Sequence, residues 1–182
     1  MNIPNILTLI RFLLIPVFVY FFFSNLEHNY LISATIFIFA GITDVLDGYI
    51  ARTYNMVTKW GKLLDPLADK SMQLTVVFCL AYKKIIPLWA IYIILIKEIL
   101  MVIGSIVLYR DKIVVSSNWY GKAATVLFYI AILAIILLDM SDVYNTFLIG
   151  IAVGSAVFAF LRYSLQFTQI KYSNANCDAE SE

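Results

Sequence analysis

The sequence predicts an all-α, polytopic integral membrane protein with six transmembrane helices. Its 182 residues are 62% hydrophobic and their mean hydropathy is +0.87, well above the apolar share of a typical soluble domain. Six separate apolar runs approach the roughly 20 residues that a helical membrane crossing needs. We therefore expect one membrane domain over residues 1–165, followed by a polar, flexible tail over residues 166–182.

The first three predicted helices differ in where their polar residues fall. The first covers residues 6–23 and contains Arg11, and the second covers residues 30–50 and ends in a group of carboxylates. The third begins near residue 65 and runs to residue 82. Pro66 then falls in its first turn, the position in a helix that tolerates proline.

The last three predicted helices cover residues 85–109, 120–138 and 143–163. In the fourth, Lys97 and Glu98 are adjacent, so they are not expected to face each other; each either lines a cavity or pairs with another helix. Gly150 and Gly154 of the sixth helix allow close contact with a neighbouring helix, which includes that of a homodimer. Aromatic residues, 15% of the chain, are expected to face lipid and the membrane interfaces.

The distribution of Lys and Arg predicts the orientation, because basic residues are retained on the cytoplasmic side. Those on the predicted cytoplasmic side are Arg52, Lys59, Lys62, Arg110, Lys112, Lys122, Arg162 and Lys171. The opposite connections are poorer in basic residues, and Lys83 with Lys84 is the one contrary signal. Both termini are thus expected in the cytoplasm. A net charge of +1 without a basic patch argues against nucleic acid as a partner.

Four aspartates, Asp44, Asp47, Asp65 and Asp69, stand out in this largely apolar chain. Spacings of three and four residues place helical side chains on one face, so each pair shares a face. Two such faces brought together repel each other unless a cation lies between them. Mg2+ takes oxygen ligands and is commonly held by carboxylates together with substrate phosphates. Two such ions could act on both the attacking and the leaving oxygen of a phosphoryl displacement.

Two glycines and an arginine accompany these aspartates. Gly48 follows Asp47, Gly61 lies four residues before Asp65, and glycine lets a ligand approach the backbone closely. Arg52 follows one turn after Gly48, where its planar fork suits a phosphate. The full pattern is D-x2-D-G-x2-A-R-x8-G-x3-D-x3-D. It resembles the signature of the CDP-alcohol phosphatidyltransferase family at every fixed position.

The resemblance implies a membrane-embedded, CMP-releasing enzyme, often a homodimer. The distribution of Lys and Arg places the motif, and with it the active site, at the cytoplasmic face of the cell membrane. Its substrates would be CDP-diacylglycerol and a second alcohol, whose hydroxyl displaces CMP. The family's roles imply that the four aspartates hold Mg2+ or Mn2+, as two ions per site, and that Asp69 is the general base. They also imply that Gly48, Arg52 and Gly61 bind the CDP-lipid.

Two acceptor alcohols stay open. Residues 2–11 and 61–70 are similar to the branch of the family whose acceptor is glycerol 3-phosphate, which is the preferred interpretation. That branch usually carries two arginines in helix four, where this chain has Lys97 and Ser105. Residues 94–122 are similar to the branch that uses phosphatidylglycerol. The candidate acceptor-binding residues are Arg11, Arg110 and Lys122.

A protein of another class also fits the acidic cluster, namely a non-catalytic membrane scaffold or a cation transporter. A transport path would place ionisable groups along the depth of the membrane. The carboxylates instead gather at one end of the predicted helices, which favours the enzyme.

Overall fold

The computed structural model describes the backbone of residues 3–53, 59–110, 119–138 and 140–179, and the side chains of residues 6–50, 64, 67–104, 119–138 and 140–165. Six α-helices occupy the described backbone, and the predicted all-α class is confirmed. They are α1 (Ile3–Phe23), α2 (Asn29–Thr53), α3 (Lys59–Tyr82), α4 (Leu88–Arg110), α5 (Trp119–Leu137) and α6 (Asp142–Ala179).

α3 and α6 differ most from their predicted bounds, and both are longer. α3 begins at Lys59 rather than near residue 65, so Pro66 lies in the helix interior and not in the first turn. The prediction treated proline as a start signal, whereas the helix continues through a residue that cannot donate a backbone hydrogen bond. α6 continues to Ala179, past the predicted end at residue 163. Residues 164–179 contain no Gly or Pro, the residues that most strongly disfavour a helix.

Four helices within the described residues are long and apolar enough to cross a membrane. The segments are Ile6–Phe23, Asn29–Ile50, Trp119–Leu137 and Asp142–Leu165. Many large apolar side chains are exposed on them, including Leu13, Val126 and Phe147, each more than half exposed, as lipid-facing residues would be. This is a helical membrane protein in its coarse features. The count of six crossings and the cytoplasmic position of both termini stay predictions.

The core contains side chains from all six helices. α1 packs against α2 and α3, α5 packs against α6, and α4 packs against α3 and α6. α2 contacts both α3 and α5, so it connects the group of α1, α2 and α3 to α5. The expectation that the aromatic residues face lipid is wrong for Phe18, Phe22 and Phe37, which are fully buried. A helix in lipid needs large apolar groups on its inner face as much as on its outer one, and composition does not distinguish the two faces.

The connection between α3 and α4 is a tight turn centred on Lys84, whose φ is 59°. The N–H of Lys84 donates to the Ala81 carbonyl and that of Ile85 to the Leu80 carbonyl, both at 2.9 Å. These two bonds form the Schellman motif, in which glycine usually takes the left-handed position. Lys84 therefore adopts a conformation that is unfavourable for a residue with a side chain.

Replacing Lys84 with glycine is expected to raise the free energy of unfolding by about 1 kcal/mol, because the left-handed conformation costs an L-residue roughly that much. Thermal unfolding in detergent measures the change. Lys83→Gly is the matched control, since the Lys83 ammonium lies 5.1 Å from the Phe22 ring centroid and 5.0 Å from that of Tyr30. That variant should unfold at a lower temperature than wild type. A lower unfolding temperature for Lys84→Gly as well would contradict the explanation.

Candidate active site

Arg11 of α1 binds two of the predicted carboxylates on α2. Its Nη1 lies 2.8 Å from Oδ1 of Asp44, and its Nη2 donates to Oδ2 of Asp47 at 2.5 Å. The Arg11 side chain is fully buried and Asp47 is 3% exposed, whereas Asp44 is 36% exposed. The spacing of three residues thus does place Asp44 and Asp47 on one face of α2, and that face is turned towards α1.

This position differs from the one that the predicted acceptor role of Arg11 would require. Two of the guanidinium nitrogens lie against carboxylates, and the side chain has no exposed surface to offer a phosphate. Its observed contacts are those of a fixed positive charge beside two negative ones. A buried carboxylate needs such a partner because its desolvation is otherwise unfavourable.

Asp69 of α3 is held by two hydrogen-bond donors. Gln73, one helical turn further along α3, directs its Nε2 towards both carboxylate oxygens, at 3.3 Å from Oδ1 and 3.1 Å from Oδ2. The hydroxyl of Tyr129 on α5 donates to Oδ1 at 3.2 Å. Asp69 remains partly exposed. A carboxylate has about four lone-pair sites, so Asp69 keeps capacity to accept a further proton or bind a cation.

The two carboxylate groups belong to one neighbourhood of the fold. Tyr129 hydrogen-bonds Asp69, and its ring stacks on Phe37 of α2 beside Gly41, which lies one turn before Asp44. Within the described side chains, no group of three or more His, Cys, Asp or Glu forms a metal site. The predicted four-aspartate metal site includes Asp65, whose side chain lies outside the described set, so that prediction stays open.

A cavity of about 330 Å³ opens between α3, α4, α5 and α6. Among the described residues, three lysines line it, Lys70, Lys97 and Lys122, together with a single acid, Glu98. Glu98 Oε1 lies 2.6 Å from Nζ of Lys97 and 3.4 Å from Nζ of Lys70. The cavity therefore carries an excess of positive charge, and its remaining wall is largely apolar or hydroxyl-bearing, with Phe128, Val153, Ala156 and Thr125 among its residues.

The expectation that Lys97 and Glu98 do not face each other is wrong. Both have long side chains, which bend into the same cavity and form an ion pair although the residues are adjacent on α4. Both alternatives from the sequence hold at once: the pair lines a cavity, and Glu98 also binds Lys70 of the neighbouring helix α3.

Gln73 connects this cavity to Asp69. It is one of the lining residues, its Oε1 accepts from Lys70 Nζ at 3.4 Å, and its Nε2 donates to Asp69. A molecule bound among the lysines would thus lie beside the carboxylate that is predicted to act as the base.

The predicted site residues divide into two sets. The structure brings together Arg11, Asp44 and Asp47, connects Asp69 to α5 through the Tyr129 hydroxyl, and puts Lys122 in the lysine-lined cavity. Gly48 follows Asp47 within α2, and Gly61 lies in the first turn of α3. The side chains of Arg52, Asp65 and Arg110 lie outside the described set, so their predicted roles are not tested.

Sequence analysis overlooked Lys70, Gln73 and Tyr129. Gln73 follows Asp69 by four residues, a spacing that places two side chains on one helix face, and this signal was available. Lys70 directly follows Asp69, and its spacing gives no such signal. Tyr129 is the only polar side chain in residues 126–137, which marks it as unusual but does not identify its partner.

Comparison with known proteins gives a consistent result. A family profile described as CDP-alcohol phosphatidyltransferase matches residues 1–160. The chain is 37% identical over 148 residues to the CDP-diacylglycerol--glycerol-3-phosphate 3-phosphatidyltransferase of Aquifex aeolicus, covering 79% of this chain and 80% of that protein. Proteins of the same name from Bacillus subtilis (36% identity, 75% and 77% coverage) and Haemophilus influenzae (38% identity, 68% and 69% coverage) are also similar.

Proposed function

The chain belongs to the CDP-alcohol phosphatidyltransferase family, and from this premise we propose that it transfers the phosphatidyl group of CDP-diacylglycerol to glycerol 3-phosphate. The products are phosphatidylglycerophosphate and CMP, so the protein is an enzyme of phospholipid biosynthesis. The names of its relatives support both substrates.

One observation carries the choice of acceptor: the cavity with three lysines and one glutamate that adjoins Asp69 through Gln73. Glycerol 3-phosphate is a small polyol with a doubly charged phosphate. Lys97 and Lys122 can bind that phosphate through charge-assisted hydrogen bonds, while Thr125 and Gln73 offer partners to its hydroxyls. A phosphodiester lipid headgroup carries one negative charge fewer and gains less from three cations.

The reaction follows from this arrangement. The acceptor hydroxyl gives its proton to Asp69, and its oxygen forms a bond to the phosphorus that bears the diacylglycerol. The bond from that phosphorus to the oxygen of CMP breaks, and CMP leaves with the electron pair. Gly48, Arg52 and Gly61 are proposed to hold the CDP-lipid, as the family pattern implies.

The aspartates fit a hard divalent cation, because they supply only carboxylate oxygens. Mg2+ or Mn2+, as two ions held by Asp44, Asp47, Asp65 and Asp69, would spread the negative charge that develops on the phosphoryl oxygens. Asp44 and Asp47 also have a positively charged partner within the protein, the guanidinium of Arg11. That positive charge offsets part of the negative charge of the two carboxylates.

The membrane setting completes the proposal. The site is placed on the cytoplasmic side, where the water-soluble nucleotide product and the acceptor are found, in agreement with the distribution of Lys and Arg. A homodimer is proposed from the family resemblance. Gly154 of α6 is compatible with a close helix contact, since a Cβ added there meets nothing within 4 Å.

Assay of the purified protein with CDP-diacylglycerol and Mg2+ tests the function. CMP should appear with glycerol 3-phosphate and not with phosphatidylglycerol, and the lipid product should be phosphatidylglycerophosphate. CMP release with phosphatidylglycerol instead would assign the alternative, a CMP-forming cardiolipin synthase. If no alcohol gave CMP, the enzymatic function would be wrong, and a membrane scaffold or a cation transporter would be the better explanation.

Replacing Lys97 or Lys122 with methionine is expected to raise KM for glycerol 3-phosphate about tenfold or more. Each change removes a charge-assisted hydrogen bond to the phosphate, and such bonds contribute about 1.5–3 kcal/mol. KM for CDP-diacylglycerol should stay within about twofold. Lys84→Met is the matched control, because this lysine lies beyond the other end of α3, about 20 Å from Asp69 at 1.5 Å per residue. If KM for the acceptor were unchanged in both variants, the cavity would not be its binding site.

A further inference from the structure

Tyr129 of α5 contacts both α2 and α3, the helices that carry the predicted site aspartates. Its hydroxyl donates to Asp69 on α3 at 3.2 Å. Its ring stacks on Phe37 of α2, with the centroids 4.6 Å apart and the planes 14° from parallel. One side chain therefore contacts both helices that carry the predicted metal-binding aspartates.

The ring occupies space that Gly41 leaves free on α2. A Cβ at Gly41 would lie 2.9 Å from Cε1 of Tyr129. Two non-bonded carbon atoms do not approach so closely, so the ring or the helix would have to shift. Gly41 precedes Asp44 by three residues and so lies on the same face of α2. Glycine is a poor residue for a helix interior, and the close approach of this ring accounts for its presence.

The hydroxyl of Tyr129 is not needed for packing. Phenylalanine would fill the same space against Phe37 and Gly41, and every other side chain in residues 126–137 is apolar. What the hydroxyl adds is the hydrogen bond to Asp69. A polar group placed in such a segment is usually functional.

We propose that Tyr129, seated on Gly41, is a positioning residue that fixes the Asp69 carboxylate relative to α2 for proton transfer from the acceptor. This inference rests on the proposed function. Gln73 belongs to the same helix as Asp69, so it can orient the carboxylate only within α3. Tyr129 is the contact that ties the carboxylate to Gly41 and Phe37, and hence to the helix that carries Asp44.

The variants Tyr129→Phe and Gly41→Ala test this role by separate routes. Tyr129→Phe removes only the hydroxyl, whereas Gly41→Ala pushes the ring from its position. Because small misplacements of a reacting group can lower rates by up to about a hundredfold, kcat should fall between about tenfold and a hundredfold in each variant. KM for both substrates should stay within about twofold. The double variant should lose no more than the greater single loss, since both changes act through one hydrogen bond.

Tyr92→Phe and Gly104→Ala are the matched controls. Tyr92 is 63% exposed on α4, and a Cβ added at Gly104 meets nothing within 4 Å, so both variants should keep the wild-type kcat. Tyr129→Phe decides the question even if Gly41→Ala does not fold. A kcat for Tyr129→Phe within twofold of wild type, or an effect on KM alone, would overturn the inference while leaving the enzyme's function in place. Wild-type protein that releases no CMP would instead overturn the proposed function.

Discussion

Asp69→Asn is expected to lower kcat by about a thousandfold or more without unfolding the protein. A general base contributes roughly 10²- to 10⁴-fold to a reaction, and asparagine cannot accept the proton at neutral pH. The change is nearly isosteric and the residue is partly exposed, so the packing around it should survive. Asparagine also presents an NH2 group where Gln73 and Tyr129 donate, and the lost hydrogen bond should cost stability only modestly.

CMP release at saturating CDP-diacylglycerol and glycerol 3-phosphate measures this effect, with the thermal unfolding temperature recorded on the same preparation. Asp142→Asn is the control, because Asp142 begins α6 and is exposed; it should retain full activity. If Asp69→Asn kept more than a tenth of the wild-type kcat in folded protein, another group would have to be the base.

Arg11→Ala is expected to destabilise the protein by about 3–5 kcal/mol, the effect of removing one partner of a buried ion pair. Asp47, which is 3% exposed, would be left as a buried charge beside Asp44 without its cation. Arg11→Lys should lose less stability, because it keeps the charge but cannot reach both carboxylates with the same fork. Unfolding in detergent by heat or denaturant measures the series.

A second change distinguishes lost charge pairing from lost packing. In the Arg11→Met background, Asp47→Asn should recover part of the stability, since it removes the uncompensated charge. Arg162→Ala, which alters an exposed arginine whose guanidinium lies 5.3 Å from the Tyr120 ring centroid, should change stability by no more than about 1 kcal/mol. Equal destabilisation in the Arg11 and Arg162 variants would mean that burial of the Arg11 pair has no special energetic weight.

The sequence could predict the features that depend on neighbours along one helix. The shared face of Asp44 and Asp47 follows from their spacing, and the all-α class follows from the apolar runs. The family could also be identified from the sequence, because the fixed residues of its motif lie close together in the chain. The family match over residues 1–160 agrees with that identification. The exact start of α3 was missed, because Pro66 is a common start signal that this helix overrides.

Contacts between distant residues could not be predicted in the same way. Arg11 and Asp47 are 36 residues apart, and Tyr129 and Asp69 are 60 apart. Their pairing depends on how α1 packs against α2 and how α5 approaches α3, which no local pattern specifies. From the sequence, Arg11 lies in the predicted cytoplasmic half of the first helix, where it could bind a phosphate of the acceptor or extend to the lipid headgroups. The anions found beside it are the protein's own carboxylates.

We propose that carboxylates from α2 and α3 bind divalent metal together at a single site. Electron paramagnetic resonance of Mn2+, added to purified protein with CDP-diacylglycerol but without acceptor, measures bound metal directly. We expect saturable binding in the wild type that is weakened in Asp44→Asn and in Asp69→Asn alike. Mn2+ binding that is unchanged in both variants, or lost in only one of them, would contradict the claim.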